Sequence, residues 1–451
     1  MTTPEQPLPA GGPGREKLAL QEVEHTMASP VTVRLLLVFF LAAIAAVPVG
    51  EWAGRRARGD DGTTPWSRLF ELPGEIRSPA EGPGSWRLVT SMNRIVIAGL
   101  SEFEQALDED SLLSRMLRPP AQIVITGWLG AGNERVYPGR EGWLFYRPDV
   151  EYVTGSGFLD PAQLERRVAQ EPALGQGEGG NVEPDPRKAI AQFRRDLDAR
   201  GTALVVVPTP LKPGVHPEKL GHGYADTAGV LQNPSYRALV EDLRRDGVLV
   251  FDPSEALASA RLAGPQYLAT DSHWRPEAME TVAELLGRFI GAELRLPVAA
   301  DPGYLIERRD MRNTGDAAQM LDLPDDRPLF PPEAAWLRRI LQPDGSPWRP
   351  SRDADVLLLG DSFSNIYSLE SMGWGTSAGF AEHLSYALRR PVDRLVQNDE
   401  GAFATRVMLQ RDSGRLDGKR VVVYQFAARE LAFGDWKVIP LPAPQAGGSR
   451  R

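Results

Sequence analysis

Val356-Leu357-Leu358-Leu359-Gly360-Asp361-Ser362-Phe363 holds four apolar residues that can be buried on both faces of a sheet. A glycine and two helix-capping residues follow. The run reads as a buried strand that ends in a turn. The same pairing recurs along the chain. Ile190, Phe193 and Leu197 have helical spacing, Gly201 stops them, and the β-rich Ala203–Val207 (ALVVV) follows. A helix over Tyr236–Arg245 precedes a strand over Val248–Phe251, a helix is predicted for Pro276–Ile290, and Val421–Phe426 (VVVYQF) is another strand. Short strands apolar on both faces and separated by helices predict an α/β domain of three layers, with a mainly parallel sheet covered on both sides. Ligands of such sheets bind beyond the carboxyl ends of the strands, where Ser362 falls. No GxGxxG follows a strand, and there is no phosphate loop or internal repeat, so nucleotide binding has no support.

Composition narrows the chemistry. The chain has 451 residues, with 51 Lys and Arg against 60 Asp and Glu, for a net charge of -9. No basic stripe offsets that balance, which argues against nucleic acid as a partner. Cysteine is absent, which excludes disulfides, thiolate zinc sites and cysteine nucleophiles. The five histidines are His25, His216, His222, His273 and His383, too few for a His-rich metal site.

Residues 1–30 form a polar tail. Residues 31–50 are expected to be a membrane anchor or signal segment, because Leu35–Gly50 (LLLVFFLAAIAAVPVG) carries no charge. The long polar stretch before it favours an uncleaved anchor, although Ala43 and Ala45 would suit a peptidase. Arg15, Lys17 and Arg34 precede the segment, and Arg55, Arg56 and Arg58 follow it, so charge does not set its orientation. Residues 51–120 read as a linker and a helical lead-in (Ile95, Leu100, Phe103, Leu107), and residues 121–440 as the main domain. Within it, Gln170–Asp185 reads as a mobile surface insertion. A Pro- and Gly-rich tail occupies 441–451.

Ser362, at the carboxyl end of a strand, faces the expected crevice, where backbone N–H groups of the turn can stabilise an oxyanion. Taken alone, Asp361-Ser362 is as well explained as a helix cap. Thr270-Asp271-Ser272-His273-Trp274 changes the balance. In an extended segment Asp271 and His273 project to the same side, so the carboxylate can hold the imidazole while its other nitrogen serves Ser362. Together these residues supply nucleophile, base and orienter. His216 reads as a loop residue, and His25, His222 and His383 as structural or solvent-exposed. Trp143, Trp374 and Trp436 read as packing residues or as sugar-binding aromatic faces.

Five stretches resemble the SGNH-hydrolase-like proteins of alginate and other exopolysaccharide O-acetylation, of the AlgJ and AlgX type. They are Gly139-Arg140-Glu141-Gly142-Trp143-Leu144-Phe145, Pro210-Leu211-Lys212 with His216-Pro217-Glu218, Asp271-Ser272-His273-Trp274, Gly360-Asp361-Ser362-Phe363, and Phe426–Leu431 (FAAREL). The resemblance implies an SGNH-hydrolase-like fold and an extracytoplasmic O-acetyltransferase. Asp271, His273 and Ser362 would form its triad, with an acetyl-Ser362 intermediate and no cofactor or metal. It further implies a polysaccharide acceptor, a membrane-bound acyltransferase as acetyl-donor partner, and a periplasmic domain anchored to the inner membrane by the N-terminal segment. The chain ends about 20 residues after Leu431, so the carbohydrate-binding module of the AlgX branch is expected to be missing. Asn365 and Asn398 are candidates for the oxyanion-hole residues. A carbohydrate acetylesterase with the same triad, and a non-catalytic scaffold that binds polymer, remain open alternatives.

Overall fold

The computed structural model describes residues 30–57, 59, 100, 103, 112–170, 182–225, 227, 229–324 and 329–443. The N-terminal tail to residue 29, most of the 59–84 linker, Ile95 and Leu107 of the lead-in, residues 171–181 of the expected insertion and the tail from 444 onward lie outside them.

Nine strands are described: β1 (Val136–Pro138), β2 (Leu144–Tyr146), β3 (Ala203–Thr209), β4 (Leu249–Val250), β5 (Leu305–Asn313), β6 (Glu333–Leu341), β7 (Val356–Gly360), β8 (Asp393–Val396) and β9 (Val421–Ala427). Five of them form one sheet in the order β4-β3-β9-β7-β8. Every pairing in it is parallel. β7 and β9 are buried at every position, and β3 at all but Ala203. Their Val and Leu side chains therefore meet packed elements on both faces, as an all-parallel sheet requires. β9 lies between β3 and β7, so the segments that leave β7 and β9 emerge side by side at the carboxyl edge.

The α/β reading and four of the sheet strands match the sequence expectation to within a residue or two. β8 was not legible. Its sequence, Asp-Arg-Leu-Val, carries two charges, and the burial of Asp393 is compensated by Arg415, which binds both its oxygens at 2.5 and 2.8 Å, and by Lys419 Nζ at 3.4 Å. Two antiparallel pairs, β1–β2 and β5–β6, stand apart from the parallel sheet.

Residues up to Arg118 form one unit and Pro119–Arg451 another. In the first, a helix runs over Pro30–Ala57 and contains Pro48. The expected membrane anchor or signal segment, residues 31–50, falls on this helix. No helix among the described residues is long and apolar enough to cross a membrane. The uncharged run Leu35–Gly50 rises about 24 Å at 1.5 Å per residue, short of a hydrocarbon core about 30 Å thick.

Candidate active site

Asp361 fixes the turn after β7. Its Oδ1 accepts from the Phe363 N–H at 2.9 Å and caps the short helix Ser362–Asn365, while Oδ2 accepts from the Ala427 N–H at 2.6 Å. Gln425 on β9 closes the clamp, donating to Asp361 Oδ1 at 2.8 Å and accepting from the Asp361 N–H at 3.1 Å. Gly360 is needed here for close approach, because a Cβ would collide with the Ser364 side chain. The capping role and the placement of Ser362 are therefore parts of one device.

Ser362 Oγ lies 2.9 Å from His273 Nε2, and His273 Nδ1 lies 2.8 Å from Asp271 Oδ1. An ionised Asp271 only accepts, which places the imidazole proton on Nδ1 and leaves Nε2 to accept from the serine hydroxyl. Asp271 and His273 do not lie in an extended strand. Residues 269–273 form a series of bends, and the His273 N–H also donates to Asp271 Oδ1 at 3.0 Å. The two-residue spacing works because the carboxylate folds back over the backbone rather than because the side chains alternate.

The Asp271 carboxylate is held from further sides. Trp374 Nε1 donates to Oδ2 at 2.9 Å, and the Asp316 N–H donates to the same oxygen at 3.1 Å. Burial works against its ionisation, but the bond and charge of His273 and the Trp374 N–H outweigh it and hold the carboxyl well below its usual range. Burial likewise opposes charging of His273, yet the Asp271 carboxylate raises its pKa above the ordinary value. The Trp374 indole is thus more than the packing group its sequence context suggested. Trp374→Phe removes the N–H and keeps an aromatic ring; about tenfold lower kcat on a small acetyl ester is expected, since hydrogen bonds to charged groups contribute about 1.5–3 kcal/mol. Unchanged kcat would remove this N–H from the orientation of Asp271.

Two groups were given no role by the sequence reading. Asp316 accepts from the N–H and the hydroxyl of Ser272, both at 2.6 Å, and its Oδ2 lies 3.5 Å from His273 Nδ1. Burial and the neighbouring Asp271 charge push it up to about 6. It reaches the site because Gly315 packs against the Thr270 backbone where no Cβ would fit, a contact across 45 residues with no local signal. Lys212 is fully buried, and its Nζ donates to the carbonyls of Leu144, Ala269 and Asp271 at 2.5, 2.8 and 2.9 Å. It ties β2 to the catalytic loop, and burial lowers its pKa to about 8. A lysine between Leu211, Pro213 and Val215 was the available clue. Lys212→Met leaves the buried carbonyls of Leu144 and Asp271 without a donor at about 1–3 kcal/mol each, while that of Ala269 keeps the Leu144 N–H. A loss of at least about 2 kcal/mol is expected, read as a fall in Tm of about 4 °C or more; an unchanged Tm would contradict the role.

Of the two asparagines, Asn398 lines a cavity of about 40 Å³ with Ser362, Asp361, Gln397 and Arg429. Asn365 is not part of that lining, and its Nδ2 instead donates to Asn398 Oδ1 at 2.8 Å. His216 lies in the loop expected for it, between the short helices Lys212–Val215 and Pro217–Leu220, but it is buried. Its Nδ1 lies 2.9 Å from Glu218 Oε1, its Nε2 accepts from the Gln266 N–H at 2.9 Å, and its ring lies 4.7 Å from that of Trp143. His383 donates to the Arg338 carbonyl at 2.9 Å, and burial lowers its pKa to about 3. His222 is exposed, Trp143 and Trp436 are buried, and His25 lies outside the described residues.

Residues 136–428 match the family described as "SGNH hydrolase-like domain, acetyltransferase AlgX". The chain belongs to this family. Its matched span runs from β1 to the turn after β9 and contains Asp271, His273 and Ser362. The "Probable alginate O-acetylase AlgJ" of Pseudomonas aeruginosa is 26% identical over 305 residues, 66% of this chain and 71% of the relative. The protein of the same name from Pseudomonas syringae pv. tomato is 25% identical over 310 residues, 66% and 70% of the two chains. Among solved structures, the "O-Acetyltransferase Domain of Pseudomonas putida AlgJ" is similar at 23% identity with a TM-score of 0.49, covering 66% of this chain and 92% of that one.

Asp271, His273 and Asp316 also bring potential metal-ligand atoms within 4.8 Å of one another. Their donor set does not fit a cation. Both imidazole nitrogens and both Asp271 oxygens are already engaged in the hydrogen bonds above, and Asp316 is engaged by Ser272. The arrangement suits proton transfer between Ser362 and His273.

Proposed function

We propose that this protein is an O-acetyltransferase that carries an acetyl group on Ser362 and passes it to a hydroxyl of an exported polysaccharide. The unbroken Asp271–His273–Ser362 hydrogen-bonded line, inside the span that matches the acetyltransferase family, carries the proposal. Ser362 Oγ attacks the acetyl carbonyl of the donor while His273 Nε2 takes its proton. The tetrahedral intermediate collapses to acetyl-Ser362, and the leaving group departs with the proton from His273. A sugar hydroxyl then gives its proton to Nε2 and attacks the acetyl carbon, and Ser362 recovers the proton as it leaves. Asp271 orients the ring and stabilises the imidazolium in both halves.

The Ser362 N–H has no hydrogen-bond partner among the described residues, and it is the donor assigned to the oxyanion, with Asn398 beside it. The cavity of about 40 Å³ accommodates a group of acetyl size, as one water needs roughly 10–15 Å³. A membrane-bound acyltransferase as acetyl donor and a periplasmic location belong to the same proposal. The uncharged run Leu35–Gly50 serves there as the export segment, and its length is close to that of a signal-peptide core.

The test incubates the protein with an activated acetyl ester and polysaccharide fragments, followed by mass spectrometry of peptides and sugars. Acetyl on Ser362 and then on sugar supports transfer. Acetate released with no sugar product, whatever the acceptor, replaces the proposal with an esterase. No acetyl on Ser362 leaves a polymer-binding scaffold.

A further inference from the structure

β5 and β6 pair antiparallel over nine residues each, with Arg308 opposite Arg338, Asp310 opposite Trp336 and Arg312 opposite Ala334. Side chains alternate between the faces of such a ribbon. Ala335 and Leu337 turn into the core, so Arg308, Asp310, Arg312, Trp336 and Arg338 share the outward face. Arg308 and Arg312 flank Trp336 on its two diagonals. Two arginines directly across a strand pair repel each other and destabilise the ribbon. Glu280 relieves Arg338 at 3.0 Å and its charge also acts on Arg308 at longer range, but the side chains of Arg308 and Arg312 make no hydrogen bond or ion pair among the described residues. Trp336 is 62% exposed, and its ring has no aromatic or cationic partner among them. On a chain of net charge -9, this is a cationic and aromatic strip that its own fold leaves unused.

The strip also leads to Ser362. β5 ends at Asn313, three residues before Asp316, which touches Ser272 and lies 3.5 Å from His273 Nδ1. Arg312 is four residues from Asp316 and so lies within about 14 Å of it along the chain. β6 begins at Glu333, whose Oε2 accepts from the Ala269 N–H at 2.8 Å and whose Oε1 binds Arg275 at 3.0 Å, on both flanks of the catalytic loop.

We propose that the outward face of the β5–β6 ribbon is the acceptor track, and that it binds a polysaccharide bearing carboxylates, with Trp336 stacking on a sugar ring and Arg308 and Arg312 pairing with uronate groups. This rests on the acetyltransferase reading for its purpose. Its recognition chemistry is separate, since arginine forks match carboxylates and an indole face matches the apolar side of a pyranose. Continuity with the catalytic loop favours a polymer over an anionic lipid surface, which would need no such path.

The test uses the full chain carrying Ser362→Ala, so that binding is read without turnover. The probes are a mannuronate oligosaccharide, the same oligosaccharide with its carboxyl groups reduced to alcohols, and vesicles containing an anionic phospholipid. Arg308→Glu with Arg312→Glu should raise Kd for the uronate at least tenfold and leave the reduced oligosaccharide unaffected. Trp336→Ala should weaken both. In the chain with Ser362 intact, the double substitution should leave acetyl-Ser362 formation from a small ester unchanged and raise KM for the uronate acceptor. Equal uronate binding by the parent and the double variant would overturn the track, as would binding to vesicles alone. Uronate binding lost in the double variant, in a protein that never acetylates Ser362, would uphold the surface and sink the acetyltransferase. Sugar acetylation with an unchanged KM in the double variant would do the reverse.

Discussion

Ser362→Ala is expected to lose acetyl transfer by about 10⁴-fold or more and to leave no acetyl on the protein. The loss follows from the geometry. Among the described residues, Oγ is the one oxygen within hydrogen-bond reach of His273 Nε2, and removing it leaves the base with nothing to activate but water. Folding should be untouched, because the Asp361 cap, the Gln425 clamp and the Ser362 backbone all survive the change. Intact-mass measurement after incubation with an activated acetyl ester checks the first point and thermal unfolding the second. Acetyl retained on the Ser362→Ala protein would place the nucleophile elsewhere and remove the basis of the proposed mechanism.

Asp271→Asn has the second largest expected effect, a fall in kcat of about 10⁴-fold with the fold retained. The amide is nearly isosteric, but it carries a donor where the imidazole proton must be accepted, which favours the wrong tautomer of His273. The pH dependence gives an independent reading. His273 must be neutral to take the serine proton, and its pKa is raised by Asp271. In the native protein kcat/KM should therefore rise with pH through a value above the ordinary His pKa of about 6.5 and be lost below it. In Asp271→Asn that limb should move to lower pH, because the charge that favoured imidazolium is gone. A limb that stays in place, or a variant with near-native kcat, would show that Asp271 does not control the base.

Much of this site was legible because its key groups sit in short local patterns. The Asp271-Ser272-His273-Trp274 and Gly360-Asp361-Ser362-Phe363 stretches each place a reactive group within two residues of the side chain that orients it. The groups that sequence reading missed have partners far along the chain. Trp374 is 103 residues from Asp271, Lys212 reaches carbonyls 57 to 68 residues away, and Asp316 meets Ser272 across 44. An isolated Trp, Lys or Asp carries no sign of such a partner.

The same division runs through the fold. Continuous apolar runs in β3, β7 and β9 determined a parallel α/β sheet from the sequence alone, since only burial on both faces makes such strands stable. β5 is polar and exposed along most of its length, so its hydrophobic pattern is silent and only backbone pairing with β6 forms it. The 16-residue apolar run is legible by composition as an anchor or signal segment, while no helix among the described residues is long and apolar enough to cross a membrane. The sequence by itself determined four strands of the parallel sheet, the candidate triad residues and the order in which they occur. Tertiary structure alone decided that Asp271, His273 and Ser362 meet in one hydrogen-bonded line, because that contact depends on the parallel register of β7 and β9 and on loops tied down by Lys212 and Glu333.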